Sequence, residues 1–260
     1  MESRGLLPAV PSAGRGCGDR VAVPGGSGVS GFVRRVTELW PRRAPGLPPG
    51  QRSLAVFPRF SNNPLRPPPE LTGPVELTIR SQDGTETTLG IAELTALGQI
   101  EQRSDFHCVT TWTRQGLEWV GVPLLEVWHA LVEPRLGDRA DAPFIVAIGA
   151  DGHRAVLCRK DVLTSGVLLA LSVEGHPLDS RHGAPLRLVS PEQYGYKNVK
   201  HLVALELHDH QPPGNLGAKE HLRARVALEE RHSRLPARLL RLPYRLLIPI
   251  TVLVSERHAT

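Results

Sequence analysis

From Val75 onward, apolar and polar residues alternate with the period of a strand. Val75, Leu77 and Ile79 stand against Glu76, Thr78 and Arg80, which predicts a half-buried strand over VELTIRS (75–81). Asp83-Gly84 supplies a hairpin turn before the β-prone stretch TETTL (85–89), and IAELTALG (91–98) reads as a short helix closed by Gly98. DFHCVTTW (105–112) reads as a strand that contains a cysteine. Beyond it, Pro123 stands where a first helical turn tolerates proline, and Leu124, Val127, Trp128 and Leu131 fall on one helical face. FIVAI (144–148), a turn at Asp151-Gly152 and RAVLC (154–158) predict a second hairpin. LRLV (186–189) and VKHLVALEL (199–207) predict two more strands, the latter with Val199, Val203, Leu205 and Leu207 on one face. Hairpins and short strands interspersed with short helices suggest an α+β domain with a mixed sheet.

The flanks have a different character. Residues 1–56 hold seven Pro and ten Gly, a composition that predicts a largely disordered extension, within which FVRRVTELW (32–40) offers a helical turn or two. The PPG and PPP runs (48–50 and 67–69) lead into a folded domain over 57–210. Residues 211–260 form a basic tail, with helical stretches expected to be divided by Pro236 and Pro243. Its plainest reading has leucines packing onto the domain and arginines snorkelling over it. A membrane-surface helix is the sharper alternative, against which the prolines count.

The formal charge of +5 changes the picture only by its location. Between Lys219 and Arg245, eight Lys/Arg face three Glu, so the whole excess belongs to the tail. With Tyr244 as the sole aromatic there, a nucleic-acid surface is not indicated. Cys17, Cys108 and Cys158 form no CxxC pair and no His/Cys cluster at zinc spacing, which excludes a disulfide scaffold or a structural zinc site and favours a reducing compartment. No export signal stands out, and the apolar window LLIPITVLV (246–254) is short and interrupted by Pro249, so the expectation is a cytoplasmic chain with no transmembrane span.

Two regions carry candidate chemistry. A lone cysteine in a β-prone stretch is ordinarily a small buried hydrophobe, and on a strand His107 points away from Cys108, a poor base for a nucleophile. The segment 182–202, HGAPLRLVSPEQYGYKNVKHL, offers Arg187 as a planar fork, Lys197 and Lys200 as point charges, and Gly195 for close backbone approach. These suit a bound anion, although ordinary solvated cations would look alike by charge alone.

Together the motifs resemble a family. C-V-x-x-W (Cys108–Trp112), W-x-G-V-P-L (Trp119–Leu124), HGAPLR (182–187) and YGYKxVK (194–200) are similar in order and spacing to sulfite oxidase-type molybdopterin oxidoreductases, with the resemblance running from about Phe57 to His208. It implies a sulfite oxidase-type fold and a molybdenum–molybdopterin cofactor, with Cys108 as the molybdenum ligand. A soft thiolate suits such a metal, and one protein ligand suffices because the cofactor supplies others. It further implies cofactor contacts from His182, Arg187, Asn198, Val199 and Lys200, and from Asn62 (or Asn63) upstream. His182 stands where the family often has Asn, and Gly149 where relatives place a hydroxyl residue.

Sulfite oxidases proper follow the cysteine with A-G-N-R-R. This chain instead has Trp112 and Thr113 at the arginine offsets, with Arg114 one place on, which argues against a pocket built for sulfite. The C-V-x-x-W wording is closer to the catalytic subunits of protein-methionine-sulfoxide reductases, without their twin-arginine signal. The resemblance therefore implies two-electron, oxygen-atom-transfer chemistry on a small-molecule substrate, with Tyr194, Tyr196, His107 and Arg114 as pocket candidates. In the absence of haem or iron–sulfur motifs, a separate electron-transfer partner is expected. A non-catalytic member that binds a pterin or a protein through the same fold is the competing expectation.

Overall fold

In the computed structural model, residues 40–60, 65–71, 73–217 and 220–257 are described. The alternation after Val75 produces the strands it predicts. β2 (Glu76–Arg80) buries Leu77 and Ile79 and sends its charged residues outward. It turns at Gly84, whose φ of +86 suits a residue without Cβ, into β3 (Glu86–Gly90). The short helix α1 (Ile91–Ala96) follows, and Gly98 at φ +96 closes it.

The hairpin β6 (Phe144–Gly149) and β7 (Arg154–Cys158) joins β2, β3 and β11 (Leu202–His208) in a five-stranded sheet ordered β3-β2-β11-β6-β7. β11 runs parallel to β2 and antiparallel to β6, so the sheet is mixed. It packs against α1 and a helical segment: α2 (Leu124–Val127), a π-helical turn (Trp128–Val132), α3 (Glu133–Leu136) and a 3-10 turn (Gly137–Asp141). Leu94, Leu124, Val127 and Trp128 enter this core together with Leu77, Ile145 and Leu205. Each such side chain contributes about 1.5–3 kcal/mol by leaving water.

A second sheet carries the site. Its spine is β5 (Trp112–Pro123), with β4 (Ile100–His107) along one edge. The other edge is shared by β1 (Arg52–Ser53), which runs parallel to it at Trp112 and Thr113, and by β8 (Leu168–Val173). Beyond β8 lie β9 (His176–Pro177) and β10 (Arg187–Val189). Trp112, Trp119, Phe106 and Leu168 build its core. LLALSV (168–173) has no alternation to betray a strand, because both its faces are covered.

Several expectations are corrected. The strand expected across DFHCVTTW ends at His107, and Cys108 lies in the turn before β5. There the Cys108 amide donates to the Trp112 carbonyl at 2.8 Å, the Thr111 amide donates to the Cys108 carbonyl at 3.1 Å, and Thr111 takes a φ of +78. A β-branched residue in that region marks strain held by its surroundings, which propensity cannot foresee. β11 begins at Leu202 rather than Val199, because His201 at φ +50 breaks the extension.

The flank boundaries also move. Gln51 and Leu54 are buried, and β1 belongs to the second sheet, so the fold starts before residue 57. FVRRVTELW lies outside the described residues except for Trp40. In the C-terminal region Ala224, Val226 and Arg231 are buried, and α4 (Arg159–Val162) is tied to it by Arg223 Nε donating to Asp161 at 2.7 Å. α5 (Ala237–Arg257) runs as one helix through Pro243 and Pro249, held by Ile248 and Val252 in the second core. Contrary to the expected arrangement, Arg241 turns inward to Glu229, while Leu239, Leu242 and Leu246 are exposed.

Candidate active site and its cofactor cradle

The turn after β4, the strand β10 and the connection 190–201 meet around a cavity of about 250 Å³. Cys108 lines it, as do His182, Arg187, Asn198 and Lys200 from the distant HGAPLR and YGYKNVK segments. A smaller cleft adjoins it, sharing Asp151, His153 and Lys200 and adding Arg59 and Arg66.

Cys108 is 4% exposed. Burial pushes its thiol up, opposed by contact with Thr110 Oγ1 at 3.1 Å and by the positive charge of Arg231. A metal that takes the place of the proton would offset this cost of burial. The turn is anchored from both sides: Gln51 Nε2 donates to the Cys108 carbonyl at 3.2 Å, and Arg231 donates to the Val109 carbonyl. His107 points away, its Nδ1 at 2.8 Å from Thr113 Oγ1, and burial holds it down at about 4.

Arg187 is 1% exposed and stacks over Trp119 at 5.1 Å and Phe106 at 5.5 Å. Its two arms donate to the His182 carbonyl at 2.8 Å and the Asn198 carbonyl at 3.5 Å, its Nε has no hydrogen-bond partner, and no carboxylate pairs with it among the described residues. Burial pushes it down to about 9. A buried guanidinium without a counter-ion is built to receive an anion. Lys200 donates to the Arg181 carbonyl at 2.8 Å and is driven down to about 7, by burial first and then by Arg187 and Arg59. His182 is fixed by Asp179 Oδ1 at 2.9 Å, by the Phe57 carbonyl at 3.1 Å and by stacking on Phe57 at 4.7 Å. It too is lowered by burial.

Asn198 borders the cavity, but its amide ties the loop together, accepting from the Ser190 amide at 2.7 Å and donating to the Ser190 carbonyl at 3.2 Å. Val199 lies in the first core with its backbone engaged by Leu188 and Lys197. Tyr194 is fully buried beneath Arg231, 4.9 Å away, and is not in the cavity wall, whereas Tyr196 is. Arg114 folds back to the Gln115 carbonyl at 3.1 Å and does not line the cavity. Trp112 and Thr113 are in the core. Lys197 is no free charge: it is buried and paired with Glu220 at 2.7 Å. Gly195 packs on the Phe106 ring, and a Cβ there would come within 2.6 Å of it. Asn62 and Asn63 lie outside the described residues.

Sequence reasoning missed Phe57, Phe60 and, from the tail, His232 and Tyr244 in the cavity wall. Tyr244 Oη sits 2.7 Å from His232 Nε2. No motif marks these residues.

Among the described residues no group of three or more His, Cys, Asp or Glu side chains could hold a metal ion. The donor set fits a metal that arrives with its own ligands: one thiol on the same cavity as Arg187 and Lys200. The family profile of the oxidoreductase molybdopterin binding domain matches residues 67–216. An uncharacterized oxidoreductase, YuiH, of Bacillus subtilis is 30% identical over 126 residues, 48% of this chain and 61% of that protein. A putative protein-methionine-sulfoxide reductase subunit, YedZ1, of Azospira oryzae is 32% identical over 47% of this chain and 44% of its own length. The protein-methionine-sulfoxide reductase catalytic subunit MsrP of Gluconobacter oxydans is 27% identical, over 55% of this chain and 47% of its own. The chain thus spans about half the length of the curated relatives it matches. Among solved structures, the sulfane dehydrogenase SoxCD of Paracoccus pantotrophus aligns with a TM-score of 0.47 and 17% identity, over 75% of this chain and 57% of that one. The chain belongs to the oxidoreductase molybdopterin binding domain family, and molybdopterin is the cofactor its cradle serves.

Proposed function

We propose that the chain is a molybdenum-dependent oxidoreductase in which the Cys108 thiolate ligates molybdenum, and that it carries out two-electron, oxygen-atom-transfer chemistry on an uncharged small molecule of the sulfoxide type. The observation that carries this reading is the convergence of Cys108 and the counter-ion-free Arg187 on one cavity. The bound cofactor supplies the redox chemistry, exchanging an oxygen atom and two electrons with the substrate.

The chain's own residues bind and orient. Arg187 and Lys200 would hold the anionic part of the cofactor, with Arg59 and Arg66 continuing the cationic wall along the adjoining cleft. His182, locked by Asp179 and Phe57, presents its ring at a fixed angle. On the substrate side Phe57, Phe60, Val109 and Tyr196 exclude water, and the hydrogen-bonded pair His232 and Tyr244 is placed to hold a proton near the reacting group. The positions at which sulfite oxidases keep arginines are filled by core residues Trp112 and Thr113, which supports a neutral substrate over sulfite. Single electrons would come from a separate partner.

The test is an activity screen of molybdenum-loaded protein from a host that makes the cofactor. Reduction of methionine sulfoxide or dimethyl sulfoxide with an artificial donor, lost in Cys108→Ser, is expected. Sulfite turnover in preference to sulfoxides would overturn the substrate reading. Loaded protein inert towards sulfite, sulfoxides and N-oxides alike would favour a non-catalytic binding role.

A further inference from the structure

The helix α5 turns unlike faces inward and outward. Toward the body, Ile248, Val252 and Ser255 are buried and Arg241 pairs with Glu229 at 2.7 Å. Outward, Leu239, Leu242, Leu246 and Ile250 recur at three- and four-residue spacing, each more than half exposed and Leu239 reaching 72%. Leu235 and Leu247 extend the patch at its edges. Over 21 residues the helix is about 30 Å long, and an apolar stripe of that length on a folded surface marks an interaction site.

The charges that frame the stripe are of one sign. From Arg231 to Ser255 there are five arginines and no carboxylate. Arg234 and Arg238 are exposed at the start of the stripe. The segment 41–53, to which Arg245 donates through the Gly50 carbonyl at 3.2 Å, adds Arg42, Arg43 and Arg52, again without a carboxylate. Burial and the like charges of Arg52, Arg241, Arg231 and Arg43 hold Arg245 below its ordinary value, a sign of their closeness. Arg231 and Arg241 are met by Glu229, but Arg234, Arg238, Arg42, Arg43 and Arg52 have no such carboxylate among the described residues, and a second copy docked on the stripe by a two-fold axis would bring two such like-charged sets to one interface. An anionic bilayer brings the missing counter-charge together with an apolar layer.

We propose that the outer face of α5 is an in-plane membrane-docking surface, its leucines entering the boundary of an anionic phospholipid leaflet while Arg42, Arg43, Arg234 and Arg238 meet the lipid phosphates. The helix lies on the bilayer: among the described residues, none is long and apolar enough to cross one. This goes beyond the oxidoreductase reading and does not depend on it, because the readout is lipid binding.

The experiment is co-sedimentation of the full, cofactor-loaded chain with vesicles of phosphatidylcholine alone or mixed with phosphatidylglycerol. Sedimentation with the anionic vesicles only is expected. High salt and the pair Arg234→Gln, Arg238→Gln should weaken it, and the pair Leu242→Glu, Leu246→Glu should weaken it by more than about tenfold. The exposed leucines should leave the melting temperature unchanged; if that pair lowers it, Leu239→Gln with Ile250→Gln tests the same stripe. Failure to bind either vesicle, or binding untouched by both leucine pairs, would overturn the proposal. So would a dimer in light scattering that the leucine pairs split into monomers, since that assigns the stripe to a second copy.

Discussion

Arg231 reaches from the C-terminal segment to the carbonyl oxygen of Val109, the residue after Cys108. The same guanidinium lies 4.9 Å over the Tyr194 ring and contacts Glu229 Oε1 at 3.4 Å and the Pro49 carbonyl at 3.4 Å. One buried cation therefore ties the segment before β1, the cysteine turn and the tail together. Arg231→Met should lower unfolding free energy by on the order of 3 kcal/mol, since it leaves buried acceptors unmet. Urea denaturation measures this, and molybdenum retained after dialysis should fall in parallel. Arg231→Lys should restore stability only in part, because a point charge cannot serve all these acceptors.

Lys200 gives the cofactor-free protein a pH signature. Its folded value of about 7 lies below the ordinary 10.5, so between these values the unfolded chain holds the extra proton. The contribution of this group to stability therefore rises with pH across that window and is lost as pH falls through about 7. Melting temperatures of cofactor-free protein between pH 7 and 9 should show a component of this sign that Lys200→Gln removes. Binding of an anionic phosphate should raise the Lys200 value again and take up protons, which calorimetry in buffers of different ionisation heat detects.

The family resemblance implies a hydroxyl residue at position 149, but a Cβ here would lie 2.5 Å from the Lys200 carbonyl and 2.7 Å from Asp151 Oδ1. Gly149→Ser should cost about 1–3 kcal/mol through overpacking and should weaken cofactor retention by displacing Lys200. An unchanged urea midpoint with full molybdenum content would contradict this.

What the sequence made legible was set by periodicity and wording. The hairpins of β2 with β3 and β6 with β7 were readable because one face of each alternates and Gly84 and Gly152 mark their turns. Cys108, His182, Arg187 and Lys200 were readable from motifs, although nothing local brings them into one cavity. The turn at Cys108 was hidden because Thr111 adopts positive φ against its propensity. The roles of Arg231, His232 and Tyr244 were hidden because an arginine-rich, proline-containing segment looks the same whether it floats or, as here, threads its cations inward to Glu229 and the Val109 carbonyl.

The most direct test of the central claim is molybdenum K-edge X-ray absorption on the loaded full-length chain and on Cys108→Ser. One sulfur fewer around the metal in the variant, with the sulfurs of the pterin retained, is the expected result. An identical sulfur shell in the two proteins would show that Cys108 is not the ligand.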